Sequence, residues 1–159
     1  MTETTNTDTG LIQTARIVND SMPHHMVKLV IEGLNQVGRS IKDSNILILG
    51  LAFRGGVKEV ANSPAIAIIQ RLKEFHANVF LYDPIFSKEE VESFGAIYSD
   101  SFDNMDCVVI VTDHKEFREY AWEEVAAKMR SKVIVDGRQL VVPENIRELG
   151  YIYKGIGYC

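Results

Sequence analysis

The sequence predicts an α/β fold: a doubly wound, mostly parallel sheet preceded by a long helical segment. Short apolar runs alternate with helix-period segments from Asn45 onward. Such alternation requires crossover connections, which place helices over both faces of a parallel sheet. The first run, Ile46-Leu47-Ile48-Leu49, is apolar without interruption, as expected of a strand covered on both sides. Helix starts are marked too. Ser87 with Glu90 fits a capping box, and Asp113 with Glu116 fits its aspartate variant. Right-handed crossovers between these elements give a Rossmann-like domain.

Taken in order, residues 1–10 are polar and Thr-rich and read as a disordered tail. Residues 11–42 form a helical segment. Leu11, Ala15, Val18, Met22, Met26, Leu29, Leu34 and Val37 recur at spacings of three to five, an apolar stripe down one face. Pro23 removes a backbone donor and predicts a kink or a break. A helix this long is expected to stand apart from the following domain and to pair with a second copy. The stripe through Met26, Leu29, Val30 and Val37 would make a homodimer, because left bare it invites aggregation. Residues 43–159 form the sheet domain. Its strands read Asn45–Gly50, Asn78–Tyr82, Ala96–Ser99, Cys107–Thr112, Lys132–Asp136 and Tyr151–Ile156. Its helices read Pro64–Phe75, Lys88–Phe94, Lys115–Tyr120 leading into Trp122–Met129, and Pro143–Leu149.

Composition narrows the function. The chain of 159 residues carries a net charge of −5, which argues against nucleic acid as a partner. No apolar run approaches the ~20 residues needed to span a bilayer. Two cysteines, Cys107 in an apolar run and Cys159 at the end, form no disulfide framework. A reducing cytoplasm is the expected compartment.

The chemistry concentrates in Asn45–Pro64. A strand runs into Gly50, then a loop holding Arg54, Gly55, Gly56 and Lys58, then a helix start with Ser63 as N-cap and Pro64 at the first helical position. Strand, glycine loop and helix N-terminus gather anions, since unpaired N–H groups and close backbone approach favour a phosphate. The loop is not G-x-G-x-x-G, so this domain is a poor NAD site by itself. Asp83, in Tyr82-Asp83-Pro84, ends a strand where a ribose hydroxyl can be held, or simply closes a turn. Arg138, in Asp136-Gly137-Arg138, is a candidate second anion contact at the carboxyl edge of the sheet. Thr112-Asp113-His114 is read as a helix cap in preference to an acid–base group. His24-His25 lacks a third metal ligand at suitable spacing and reads as helix surface. No nucleophile has an activating partner, so no catalytic or metal-binding residue is assigned.

Asn45–Pro64, Tyr82-Asp83-Pro84, Thr112-Asp113-His114 and Asp136-Gly137-Arg138, in this order and spacing, resemble the C-terminal domain of nucleotide-sugar 6-dehydrogenases. These are the UDP-glucose, GDP-mannose and UDP-N-acetylmannosamine enzymes. Arg16-Ile-Val-Asn-Asp20 resembles part of their central, dimer-forming helix. The resemblance implies a four-electron oxidation of a sugar alcohol to a carboxylate with two NAD⁺. NAD and a thioester-forming cysteine would belong to an N-terminal half that this chain does not match, leaving the chain inactive alone. It implies substrate contacts at Arg54 and Arg138, to which the anion-gathering loop adds Gly55 and Lys58 as expected substrate-binding residues. The family's usual arginine before Ser-Pro falls on Ala61, and its usual acidic pair falls on Lys58 and Glu59. The alternatives are a stand-alone nucleotide- or CoA-binding regulatory module, for which the long helix has no use, and a purely structural dimerisation domain.

Overall fold

In the computed structural model, which describes residues 21–156, the alternation of strands and helices is present in full. A helix, α1 (21–36), is followed by β1 (Asn45–Leu49), α2 (Ala65–Glu74), β2 (Asn78–Tyr82), α3 (Lys88–Ser93) and β3 (Ile97–Tyr98). Then come β4 (Cys107–Ile110), α4 (Lys115–Arg118), α5 (Trp122–Lys128), β5 (Val133–Asp136), α6 (Pro143–Glu148) and β6 (Ile152–Gly155). All six strands are parallel, in the order β3-β2-β1-β4-β5-β6. The expected fold is therefore the observed one. The winding reverses between β1 and β4, where open α/β sheets hold their ligands.

Each buried strand alternates its side chains between two cores. Ile46 and Ile48 point to the face covered by α1 and α2, beside Ile68, Ile69, Leu72, Val30 and Leu34. Leu47 and Leu49 point to the opposite face, beside Phe117, Val125, Met129 and Ile146 of α4, α5 and α6. Local signals set the helix ends. The Ser87 hydroxyl accepts from Glu90 N while the Glu90 carboxylate accepts from Ser87 N, so the expected capping box is complete. Pro143 opens α6, where its missing N–H costs nothing.

Three expectations need correction. Helix α2 starts one residue later than expected: Pro64 is its N-cap, and Ser63 contributes by accepting Ala65 N at 3.2 Å. Asp113 does not cap α4. His114 occupies the cap position and makes no side-chain capping bond to the helix, while the Asp113 carboxylate instead accepts the Gly55 N–H.

The third correction concerns α1, which does not stand apart. Met26, Val27, Leu29, Val30 and Leu34 are buried within this chain. Gly33 sits so close to β5 that a Cβ would lie 2.6 Å from Val133 Cγ1. The reason is topological. The crossovers of the second half, α4 to α6, cover one face only, and α1 closes the other over β4 and β5. The stripe through Met26, Leu29 and Val30 is thus spent internally and is not the dimer face expected of it. Val37 alone of that set is exposed. The described helix spans residues 21–36, with Pro23 in its first described turn, so the expected kink or break there falls at the edge of the described residues. The tail, residues 11–20 of the helical segment, and Cys159 lie outside the described residues. Among the described residues, no helix is long and apolar enough to cross a membrane.

Candidate functional site

Strand pairing sets Leu49, Tyr82, Ile110 and Asp136 in one row, so the segments that follow β1, β2, β4 and β5 meet at a single rim. The chain leaves β1 through Gly50 at φ 107°, where a Cβ would lie 2.1 Å from Thr112 Oγ1 and 2.8 Å from Thr112 N. Only glycine combines that dihedral with that approach.

The loop after Gly50 is then tied down from three strands. The Asp83 carboxylate, beyond β2, accepts Leu51 N at 2.7 Å and Ala52 N at 3.1 Å. Beyond β4, three consecutive residues each hold one residue of the loop. Thr112 Oγ1 donates to Ala52 O at 2.7 Å. Asp113 Oδ1 accepts Gly55 N at 3.0 Å, and His114 Nδ1 accepts Gly56 N at 3.1 Å. Beyond β5, the Arg138 guanidinium donates from Nε to Val111 O at 3.1 Å and from Nη2 to Phe53 O at 2.7 Å.

Asp83 is the centre of this stitching. It is buried, and besides the two loop amides it accepts Ile85 N at 3.0 Å and lies 2.9 Å from His114 Nε2. Burial by itself would push its carboxyl up. The hydrogen bonds from His114, Ile85, Leu51 and Ala52 outweigh that and hold it below the usual carboxylate range. Asp113 is likewise held low, first by the Gly55 N–H, against some desolvation, with help from Arg138 and Arg118.

The residues expected to contact an anion are distributed unequally. Arg138 reaches over to Phe53 and so stands beside Arg54 on one rim. Arg54 is largely exposed, with Glu59 a loose 3.8 Å away, a separation that contributes little in water. Lys58 is drawn toward α3 instead, 2.7 Å from the Glu90 carboxylate and 5.4 Å above the Phe86 ring. Gly55 serves a different purpose from the one expected. Its N–H and that of Gly56 already have protein acceptors, so they do not cradle an anion in this conformation. A Cβ on Gly55 would lie 2.4 Å from Asp113 O, and glycine is needed there for loop-to-loop contact.

Sequence reasoning assigned Asp83 to a ribose or a turn and Thr112-Asp113-His114 to a cap. All four hold the loop. The available signal was three polar residues directly after a fully buried strand at the switch point of the sheet. This domain does not fit NAD as its own ligand. The loop lacks the dinucleotide fingerprint, and the acid that would take a ribose hydroxyl is saturated by internal donors. Cys107 lies buried within β4, and burial, with Asp106 adding to it, pushes its thiol far up. It is therefore no thiolate nucleophile. His24 and His25 are exposed on α1.

Fold and site together define a doubly wound α/β domain whose carboxyl rim carries Arg54 on a loop tied from three strands and Arg138 just after β5. Residues 47–143 match the sequence model of the UDP-glucose/GDP-mannose dehydrogenase family, UDP binding domain. The chain belongs to this family. It is 33% identical over 150 residues to UDP-N-acetyl-D-mannosamine dehydrogenase of Pyrococcus horikoshii, covering 94% of this chain and 34% of that one. It is 34% identical over 135 residues to UDP-glucose 6-dehydrogenase TuaD of Bacillus subtilis, covering 80% and 29%. A solved structure of the Pyrococcus horikoshii UDP-D-ManNAc dehydrogenase aligns with a TM-score of 0.77 over 93% of this chain and 34% of that one, at 33% identity. An NDP-N-acetyl-D-galactosaminuronic acid dehydrogenase from Methanosarcina mazei gives 0.75 over 91% and 31%, at 28% identity. The chain spans about a third of the length of these relatives. D-lactate dehydrogenase from Escherichia coli, at 13% identity and a TM-score of 0.57, shares the fold alone.

Proposed function

We propose that this chain is the nucleotide-sugar-binding part of an NAD-dependent dehydrogenase that oxidises a UDP-sugar at C6 to the UDP-uronate. NAD and the thioester-forming cysteine would be supplied by sequence corresponding to the rest of the relatives' length. The chain alone would then be catalytically silent. The observation that carries the reading is the tie from Arg138 to the Phe53 carbonyl. It sets two arginines on one rim inside the region matched to a UDP-binding domain. A diphosphate presents several anionic oxygens, and guanidinium forks bind these through charge-assisted bonds contributing roughly 1.5–3 kcal/mol each. Lys58 adds long-range attraction from its place beside α3, and Gly55 allows the loop to seat.

The reading carries with it a cytoplasmic location and a homodimer. With the apolar stripe of α1 covered within the chain, the exposed side of α1 is the surface offered to that dimer. Sedimentation at increasing concentration tests this, and a monomer throughout removes it.

The direct test is thermal denaturation of this chain with UDP, UDP-sugars and CoA. A ligand at a hundredfold excess over its Kd stabilises by about 2.7 kcal/mol, which for this size of domain raises Tm by roughly 5–10 °C. The expected outcome is a rise with UDP that Arg54→Ala and Arg138→Ala abolish, and none with CoA. A rise with CoA alone supports the regulatory-module alternative. A Tm unmoved by every nucleotide removes the binding assignment.

A further inference from the structure

His114 is buried, yet belongs to no catalytic arrangement. It is 1% exposed, sits edge-on to the Phe117 ring at 5.3 Å, and touches polar groups at both ring nitrogens. One of those contacts settles the other. The group on Nδ1 is a backbone N–H, Gly56 at 3.1 Å. A backbone N–H only donates, so Nδ1 must offer its lone pair. The ring proton therefore resides on Nε2, which lies 2.9 Å from the Asp83 carboxylate and donates to it. Asp83 in turn accepts Leu51 N and Ala52 N. The imidazole thus joins the entry of the glycine loop, through Asp83, to its tip at Gly56. Arg54 lies between these two anchors.

We propose that His114 is a positioning residue for the anion-binding loop, acting as a neutral Nε2–H imidazole whose Nδ1 fixes Gly56 and thereby the backbone on either side of Gly55 that presents Arg54. This rests on the preceding reading for the identity of the ligand, but not for the clamp itself. Neither neighbour replaces it: Thr112 holds Ala52 and Asp113 holds Gly55. No other acceptor takes the Gly56 N–H among the described residues. Gly56 has φ 77° and is exposed, and the bond to His114 is the hydrogen bond given for its N–H.

Two conservative variants divide the two halves of the imidazole. In His114→Asn the side-chain oxygen takes the place of Nδ1 and can accept Gly56, but the side chain stops short of Asp83. In His114→Gln the amide nitrogen takes the place of Nε2 and can donate to Asp83, but Gly56 loses its acceptor. The readouts, on the full chain, are amide hydrogen exchange at Gly56 and UDP affinity by calorimetry. Loss of one neutral hydrogen bond is worth about a three- to tenfold change. His114→Asn should keep slow exchange at Gly56 and UDP affinity within about twofold of wild type. His114→Gln should exchange Gly56 faster and bind UDP about three- to tenfold more weakly. If His114→Gln matches wild type in both, the role is overturned. Imidazole nitrogen shifts of the wild-type chain give a check that needs no variant: a proton on Nδ1 overturns the proposal, and a proton on Nε2 with bare Nδ1 supports it. Should UDP fail to bind the wild type while Gly56 protection still follows Nδ1, the clamp stands and the ligand assignment falls.

Discussion

The amino rim of the sheet buries one aspartate, Asp106, and the carboxyl rim two, Asp83 and Asp136, and the rims satisfy them by opposite means. At the amino rim, Asp106 precedes β4 and is fully buried. It accepts Asn45 N at 2.8 Å and Ser131 Oγ at 3.0 Å, and it is gripped by Arg130, whose Nε lies at 2.9 Å, and by Arg39 at 3.1 Å. At the carboxyl rim, Asp83 is served by three backbone amides and a neutral imidazole. The amino rim therefore consumes its arginines internally. The carboxyl rim closes both of its buried acids with uncharged donors, Asp136 through the N–H groups of Arg138, Leu140 and Val141, and among the described residues it leaves Arg138 in no ion pair and Arg54 in only a loose one with Glu59. Both rims satisfy their buried acids, and at the carboxyl rim the Arg138 guanidinium bonds backbone carbonyls rather than a carboxylate.

The largest effect should come from breaking the amino rim. Asp106→Ala leaves two arginines and a backbone amide without their buried acceptor, and removing one partner of a buried pair costs about 3–5 kcal/mol. Chemical denaturation should show the loss, while any protein that remains folded should bind UDP as wild type does. Weakened binding in the folded fraction would show that the rims are coupled.

Next comes Gly50→Ala, which strains φ at 107° and drives a methyl into Thr112. A cost of about 2–4 kcal/mol is expected, with UDP affinity falling as well, because Gly50 leads directly into the loop. Thermal melts and calorimetry on one variant give both numbers. Lost stability with unchanged affinity would separate the loop from its strand.

Arg54→Ala and Arg138→Ala sharpen the contrast within the carboxyl rim. Each should weaken UDP binding by about tenfold or more, from the loss of a charge-assisted bond of roughly 1.5–3 kcal/mol. Their stabilities should differ. Arg54 touches only Glu59, loosely, and its loss should stay within about 0.5 kcal/mol. Arg138 braces two carbonyls and should cost about 1–2 kcal/mol of folding stability. In a complete enzyme the same pair should raise KM for the nucleotide sugar and leave KM for NAD⁺ unmoved. Wild-type sugar kinetics in both variants would end the assignment.

The smallest effect is the response to acid. For Asp106, burial pushes the carboxyl up, but Arg130, Asn45 and Ser131 hold it below the ordinary 3.8, and Asp83 is held below 3.8 as well. A carboxyl lowered in the folded state binds fewer protons there than in the unfolded chain. It contributes stability above about pH 3.8, which is lost as pH falls through and below that value. Tm should thus be level from neutral pH to about 5 and fall steeply below 4. Asp106→Asn should flatten that acid limb, and a limb unchanged by it would place the acid sensitivity elsewhere.

Local sequence was enough for every strand and for most helix boundaries. Uninterrupted apolar runs of four or five residues have few ways to be buried other than as central parallel strands. Ser87 and Glu90 lie three residues apart, so the box they form does not depend on what surrounds it. Arg54 and Arg138 could be singled out as candidates because charge in a glycine turn beside a strand end has a limited set of uses.

What sequence could not decide were choices among partners distant in the chain. Asp113 had an equally good local use as a cap for α4, and it lost that role to Gly55, 58 residues away. Asp83 faced a choice between ribose and turn until His114 arrived from 31 residues along. Arg138 finds Phe53 across 85 residues. The apolar stripe of α1 correctly announced a buried face, but stripe periodicity says only that something covers it. Which surface does so depends on α4, α5 and α6 all lying on the other side of the sheet. Periodicity and capping act within one turn of chain, whereas the identity of a hydrogen-bond partner is fixed only when the sheet brings strand ends together.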